Sequence, residues 1–105
     1  MVRSSQSIEQ QCRREGVPLL DLKPDMVAPS VARRVDLETA RRLGAVPVSE
    51  EDGLVTVAMQ DPFDAEALEV LGRLLRSGVV AVYSAPTAIE AALEHLQALQ
   101  LENQS

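Results

Sequence analysis

Two apolar runs, and a helical spacing of apolar residues between them, mark the central elements of the chain. Leu54 to Met59 is a short apolar stretch after a polar turn, and Val79 to Tyr83 is a continuous apolar run. Between them, apolar residues recur at the spacing of a helix face, at Ala67, Leu68, Leu71, Leu74 and Leu75. This order predicts strand, helix and strand over residues 54–83, with parallel strands joined by a right-handed crossover. The continuous run predicts that the second of these strands is buried on both faces.

The segment before these elements has the capping residues of a short helix. Asp36 is expected to cap residues 37–43, and Gly44 stands where a left-handed C-cap belongs. Residues 45–48 predict a strand, and residues 49–53 predict a polar turn whose final glycine takes a positive φ. This strand and the next are therefore expected to form a hairpin.

Both ends of the chain predict further helices. A short helix is expected from Ser7 to Arg14, and Ser84 is expected to cap a last helix. The apolar stripe of that last helix consists of Ile89, Ala92, Leu93, Leu96 and Leu99. For the central helix, either Asp61 with Pro62 at the first helical position or Asp64 can be the cap, and the sequence leaves this open.

The predicted fold is α+β: a hairpin and one parallel strand form a small mixed sheet, and several helices pack against it. We expect residues 1–16 to be a tail with a short helix, residues 17–99 the domain, and residues 100–105 a loose tail. The core is expected to be aliphatic, since Phe63 and Tyr83 are the only aromatic residues among 105. Four positions predicted to be buried are Val57, Leu71, Val80 and Leu93.

The net charge limits the classes of partner that the chain can bind, and the cysteine content indicates its compartment. The formal net charge of −6 argues against a general nucleic-acid surface, because phosphates are bound by clustered cations. Cys12 is the only cysteine, which excludes an internal disulfide and suits a reducing compartment. No apolar run is long enough to span a bilayer, and no signal peptide is visible. We therefore expect a cytoplasmic protein that neither binds nucleic acid nor inserts into a membrane.

No combination of residues predicts catalysis or metal binding. The chain lacks the GxxxxGK[ST] phosphate loop, and one cysteine with one histidine cannot form a zinc site. Cys12 and His95 lie on the two terminal helices without a motif that supports a nucleophile. The adjacent acids of residues 50–52 lack the alternating spacing of a calcium loop and suit a solvated turn. We expect no enzyme activity, no metal and no cofactor.

Two arginine pairs and one aspartate remain as candidates for binding. Arg33 with Arg34, and Arg41 with Arg42, are either solvated helix residues or contacts to an anion or an acidic partner. Asp61 either caps a helix or faces the crevice at the carboxyl end of a strand, where ligands often bind. The two roles of Asp61 are compatible.

The order of these motifs resembles the N-terminal domain that precedes the type II secretion ATPase and its type IV pilus relatives. The resemblance covers residues 17–97. It rests on Ala40-Arg41-Arg42, Pro47, the acidic turn 50–52, the run from Leu54 to Pro62, Val79 to Val82, and Ser84 followed by Ile89. It implies a cytoplasmic, non-catalytic domain that docks to the cytoplasmic part of an inner-membrane platform protein.

In some pilus relatives, the resemblance also implies binding of cyclic di-GMP through an added helical segment with an Arg-Leu-Gly-led series of leucines. The residues before Val17 lack that series, and Arg42-Leu43-Gly44 leads into a strand that contains Pro47. We therefore predict a protein-interaction or regulatory module whose partner is another protein. A cyclic di-GMP receptor is the alternative, although we do not expect the usual binding mode.

Overall fold

The computed structural model describes residues 5–102, and the surroundings of the side chains from Ser7 to Gln100. Of the predicted terminal tails, residues 1–4 and 103–105 therefore lie outside the described part of the chain. Residues 100–102 continue the last helix.

Three strands and five helices make up the described residues, together with one 3₁₀ turn. In chain order they are α1 (Ser5–Glu15), the 3₁₀ turn (Pro24–Met26), α2 (Pro29–Ala32), α3 (Leu37–Leu43), β1 (Ala45–Glu51), β2 (Leu54–Met59), α4 (Ala65–Leu75), β3 (Gly78–Tyr83) and α5 (Pro86–Glu102). The sheet has the order β1-β2-β3, with β1 antiparallel and β3 parallel to β2. The predicted α+β fold with its mixed sheet is confirmed.

The hairpin is tighter than the predicted turn. Asp52 and Gly53 both take a positive φ, of 53° and 77°, which is the backbone twist that suits a two-residue hairpin turn. As a result β1 continues to Glu51, beyond its predicted end. The register of β1 against β2 shifts between Pro47 and Ser49, a position where an edge strand tolerates a proline.

For α3 and α4 the helix cap is a residue that the sequence offered for this role, and for α5 it is not. Asp36 accepts a hydrogen bond from the Thr39 amide at 3.2 Å, as predicted. For α4 the cap is Asp64, whose Oδ1 accepts from the Ala67 amide at 3.1 Å. The prediction for Ser84 is wrong, because the Ser84 hydroxyl donates to the Leu20 carbonyl at 2.9 Å and α5 begins only at Pro86.

The core lies on both faces of the carboxyl half of β2 and continues into α4 and α5. Val57, Leu71 and Leu93 are buried there, as predicted. The prediction for Val80 is wrong, since this residue is 39% exposed. Strand β3 is an outer strand of the sheet, and only Val82 and Tyr83, at its end, are buried. An apolar run therefore does not show that a strand is covered on both faces.

Candidate functional site

Arg34, one of the candidate contacts, is held by an internal ion pair. Its guanidinium donates to both oxygens of the Glu50 carboxylate, at 2.9 and 3.2 Å, and Ser77 Oγ donates to the same carboxylate at 3.3 Å. The hydrogen bond and the charge of Arg34 lower the pKa of Glu50, and Glu50 raises the pKa of Arg34. This contact joins the end of α2 to the hairpin and leaves Arg34 little freedom to bind a partner.

Arg33 and Arg41 lie beside the carboxyl half of α5, although the sequence places them in different pairs. The Arg41 guanidinium donates to Oε1 of Gln97 on α5. Arg33 lines a shallow, largely apolar crevice next to Leu96 and Gln100 of the same helix. Both arginines are exposed, and in the described part of the chain no carboxylate lies within 4.0 Å of either guanidinium.

Arg42 is on another side of α3 from Arg41. It lines an open cavity next to α4 together with Asp64 and Glu66. Hydrogen bonds from Thr39 lower the pKa of Asp36, and the charge of Arg42 adds a smaller attraction. The structure therefore separates the members of both arginine pairs.

A cavity of about 280 Å³ opens between α3, the carboxyl end of β2 and the start of α5. Its lining residues are Arg41, Gly44, Gln60, Pro86, Ile89, Glu90 and Leu93. A guanidinium and an amide thus face a partly apolar floor formed by buried α5 side chains. The sequence analysis did not predict Gln60 as a site residue. The one signal for it in the sequence is its position directly after a predicted strand.

Asp61 does not join this cavity. Its Oδ1 accepts a hydrogen bond from the Phe63 amide at 3.0 Å, which shapes the turn between β2 and α4. Between residues 5 and 102, no group of three or more His, Cys, Asp or Glu side chains could hold a metal ion. Over the same described range, no helix is both long and apolar enough to cross a membrane.

Comparison with known proteins identifies the family. The profile of the MshEN domain matches residues 15–103. The chain belongs to the MshEN domain family. The family expected from the order of the sequence motifs is thereby confirmed. No curated protein matches this MshEN domain in sequence.

Solved structures share the fold of this MshEN domain at low sequence identity. A structure of MshE with cdg (cyclic di-GMP) superposes with a TM-score of 0.76 at 22% identity, over 90% of this chain and 69% of that one. The N-terminal domain of XpsE gives 0.73 at 18% identity, over 88% and 66% of the two chains. A second crystal form of XpsE gives 0.75 at 20% identity, over 90% and 67%. The chain thus spans about two thirds of the length of these structures.

The MshE structure bears on one expectation from the sequence. That protein was solved with cyclic di-GMP, so the comparison gives no support to the expectation that this MshEN domain does not bind the nucleotide in the usual way. At these identities the likeness establishes the fold of this chain.

Proposed function

We propose that this MshEN domain is a cytoplasmic, non-catalytic docking module that binds an acidic surface of another protein. The contact is made by a surface beside α5, formed by Arg33, Arg41, Gln97 and Gln100, which we term the α5 arginine surface. The observation that carries the proposal is that Arg33 and Arg41 are exposed and have no carboxylate partner among the residues that the structure describes, although Asp and Glu outnumber Lys and Arg by 16 to 10 in the sequence.

The chemistry of arginine favours such a partner. A guanidinium carries five N–H donors in a rigid plane and binds carboxylates through two parallel hydrogen bonds. The contact with Gln97 fixes the position of Arg41, so less side-chain entropy is lost when a partner binds. By family resemblance, the partner is the cytoplasmic part of the inner-membrane platform protein of a type II secretion or type IV pilus system.

The test is a calorimetric titration of the chain with the cytoplasmic domain of the platform protein from the same genome. Arg33→Glu combined with Arg41→Glu is expected to weaken binding by about tenfold or more, because two favourable charges become repulsive. Arg14→Glu combined with Arg76→Glu makes the same change of charge elsewhere and serves as the control, since both arginines are exposed and neither has an ion pair within the described residues. Equal affinity of both double variants would overturn the assignment of the surface.

Cyclic di-GMP is a second candidate partner, supported by the similar MshE structure that was solved with this nucleotide. The cavity between α3 and α5 offers Arg41 to a phosphate and the Gln60 amide to the edge of a guanine. Calorimetry with cyclic di-GMP on wild type and Gln60→Ala separates the two candidates. The Gln60→Ala change removes a proposed nucleotide contact and leaves the four residues of the α5 arginine surface unchanged. No heat at high micromolar nucleotide would remove this second candidate.

A further inference from the structure

One side of α3 faces the carboxyl half of α5 and carries an apolar residue and a cation one turn apart. Leu37 and Arg41 are four positions apart on α3, so their side chains lie on the same side of the helix. Leu37 lines the crevice beside Arg33, as do Leu96 and Leu99 of α5. Arg41 donates to a glutamine of the same helix. An apolar group and a cation thus follow each other along one seam between the two helices.

The crevice, which we term the α2–α5 crevice, is apolar and only partly covered. Its apolar lining residues are Pro29, Ala32, Val35, Leu37, Leu96 and Leu99. Ala32 and Leu96 are buried, whereas Leu37 and Leu99 are half-buried and keep part of their side chains accessible. The volume of about 20 Å³ is close to that of one water-sized group, since a water needs roughly 10–15 Å³. The crevice therefore suits the tip of an aliphatic side chain and is too small for an aromatic ring.

The two arginines of the α5 arginine surface flank this crevice. Arg33 lines it, and Arg41 lies one turn of α3 beyond Leu37. Their neighbours on α5, Gln100 and Gln97, are three positions apart, or about 4.5 Å along the helix axis. A segment that places an aliphatic side chain in the crevice therefore brings its adjacent residues toward both guanidinium groups.

The charges around the crevice distinguish between possible occupants. Glu90 lines the same cavity as Arg41, but its carboxylate is not within 4.0 Å of the Arg41 guanidinium, so the arginine stays available to a partner. A cationic segment would be repelled by the two arginines, and a segment with carboxylates would be attracted. A second copy of this chain carries the same net charge of −6, which opposes self-association.

We propose that the acidic partner docks through a segment in which one aliphatic side chain lies between two carboxylates. The tip of a leucine, isoleucine or valine fills the α2–α5 crevice, and the carboxylates bind Arg33 and Arg41. An apolar centre with a charged rim is the usual arrangement of a protein interface. This inference rests on the proposed docking function and adds to it an apolar anchor, which the arginines alone do not supply.

The test compares Leu99→Gln with Leu74→Gln in calorimetric titrations with the cytoplasmic domain of the platform protein. Leu74 is 44% exposed on α4 and serves as the matched control, which is expected to bind like the wild type. We expect Leu99→Gln to weaken binding by about fivefold or more and to make the heat-capacity change of binding less negative, because less apolar surface is buried. The salt dependence of its affinity should match the wild type, whereas Arg33→Glu with Arg41→Glu should flatten it.

A second measurement on the wild-type complex identifies the side chain in the crevice. Isotope-filtered NOE spectra are expected to connect the methyl groups of Leu37 and Leu99 to methyl protons of the platform domain. Connections to aromatic protons only, or no connections in a saturated complex, would overturn the proposal. Because this experiment uses the unaltered chain, it decides the question even where Leu99→Gln does not fold.

The outcomes separate this inference from the docking function. Wild-type affinity of folded Leu99→Gln, together with loss of binding by Arg33→Glu with Arg41→Glu, would overturn the apolar anchor and leave the docking function standing. The absence of any complex with the platform domain would overturn both. A dimer of the chain that Leu99→Gln disrupts would show that a second copy fills the crevice, and would also overturn the proposal.

Discussion

The side chain of Gln60 lies against the backbone of Gly44. A Cβ atom added to Gly44 would stand only 2.3 Å from Cδ of Gln60. The backbone N–H of Gln60 donates a hydrogen bond to the Gly44 carbonyl at 2.9 Å. Gly44 also ends α3 in the left-handed conformation, with φ of 63°. Gly44 and Gln60 thus join the end of α3 to the end of β2, and both line the cavity beside α5.

Gly44→Ala is expected to destabilise the domain by about 1–3 kcal/mol, because a left-handed alanine is strained and its Cβ displaces the Gln60 side chain. The measurement is the free energy of unfolding in urea. Gly16→Ala is the matched control, since Gly16 also has a positive φ, of 75°, but a Cβ there meets nothing within 4 Å. Its loss is expected to be smaller, about 1 kcal/mol, because only the strain of a left-handed alanine remains. Equal effects at the two glycines would contradict the role of the contact with Gln60.

Glu50→Gln is expected to reduce stability at neutral pH and to lose this effect in acid. Because Arg34 lowers the pKa of folded Glu50, its stabilisation is complete above the pKa of an unfolded glutamate, about 4.3, and disappears as pH falls through the lowered folded pKa. Unfolding in urea between pH 7 and pH 2 measures the difference between wild type and variant. Glu51→Gln removes a neighbouring charge without that ion pair, so its difference from the wild type should not follow the same pH profile.

Asp64→Ala is expected to cost about 0.5–2 kcal/mol, since it leaves the Ala67 amide at the start of α4 without its cap. Asp64→Asn keeps a side-chain oxygen in place and is expected to cost much less. Thermal unfolding followed by circular dichroism compares the two variants. Equal losses would mean that the charge of Asp64, and not the hydrogen bond, stabilises α4.

Leu71→Ala and Val80→Ala test the revised boundaries of the core. Leu71 is fully buried on α4, so its truncation is expected to cost about 2–5 kcal/mol. Val80 is partly exposed on the outer strand, and its truncation should cost clearly less. Denaturant unfolding gives both values, and a similar large loss for both would show that the outer face of β3 is covered in solution.

Local sequence signals were sufficient for most of the fold. Asp36 and Gly44 determine both ends of α3, and the Asp52-Gly53 pair determines the hairpin. The errors occur where tertiary contacts outweigh local preferences. Ser84 looks like a helix cap, but its hydroxyl bonds the Leu20 carbonyl, which comes from a distant segment. The position of β3 at the outside of the sheet also depends on strand order, which hydrophobicity alone does not encode.

The candidate site was predicted less completely from the sequence than the fold was. The pairs Arg33-Arg34 and Arg41-Arg42 suggested two local units, yet helix geometry directs successive side chains about 100° apart. Arg41 therefore meets Gln97 on α5, while Arg42 faces the cavity beside α4. Arg34 bonds Glu50, which is 16 positions away. Such pairings require the packing of helices that are distant in sequence.

We propose that the α5 arginine surface docks to an acidic partner. The most direct measurement of this docking is an NMR titration of the labelled chain with the cytoplasmic domain of the platform protein, which reports the response of each backbone amide. We predict saturable shifts concentrated at Arg33, Arg41, Gln97 and Gln100. A saturated complex in which these four amides do not move, or the absence of any complex at millimolar partner, would contradict the claim.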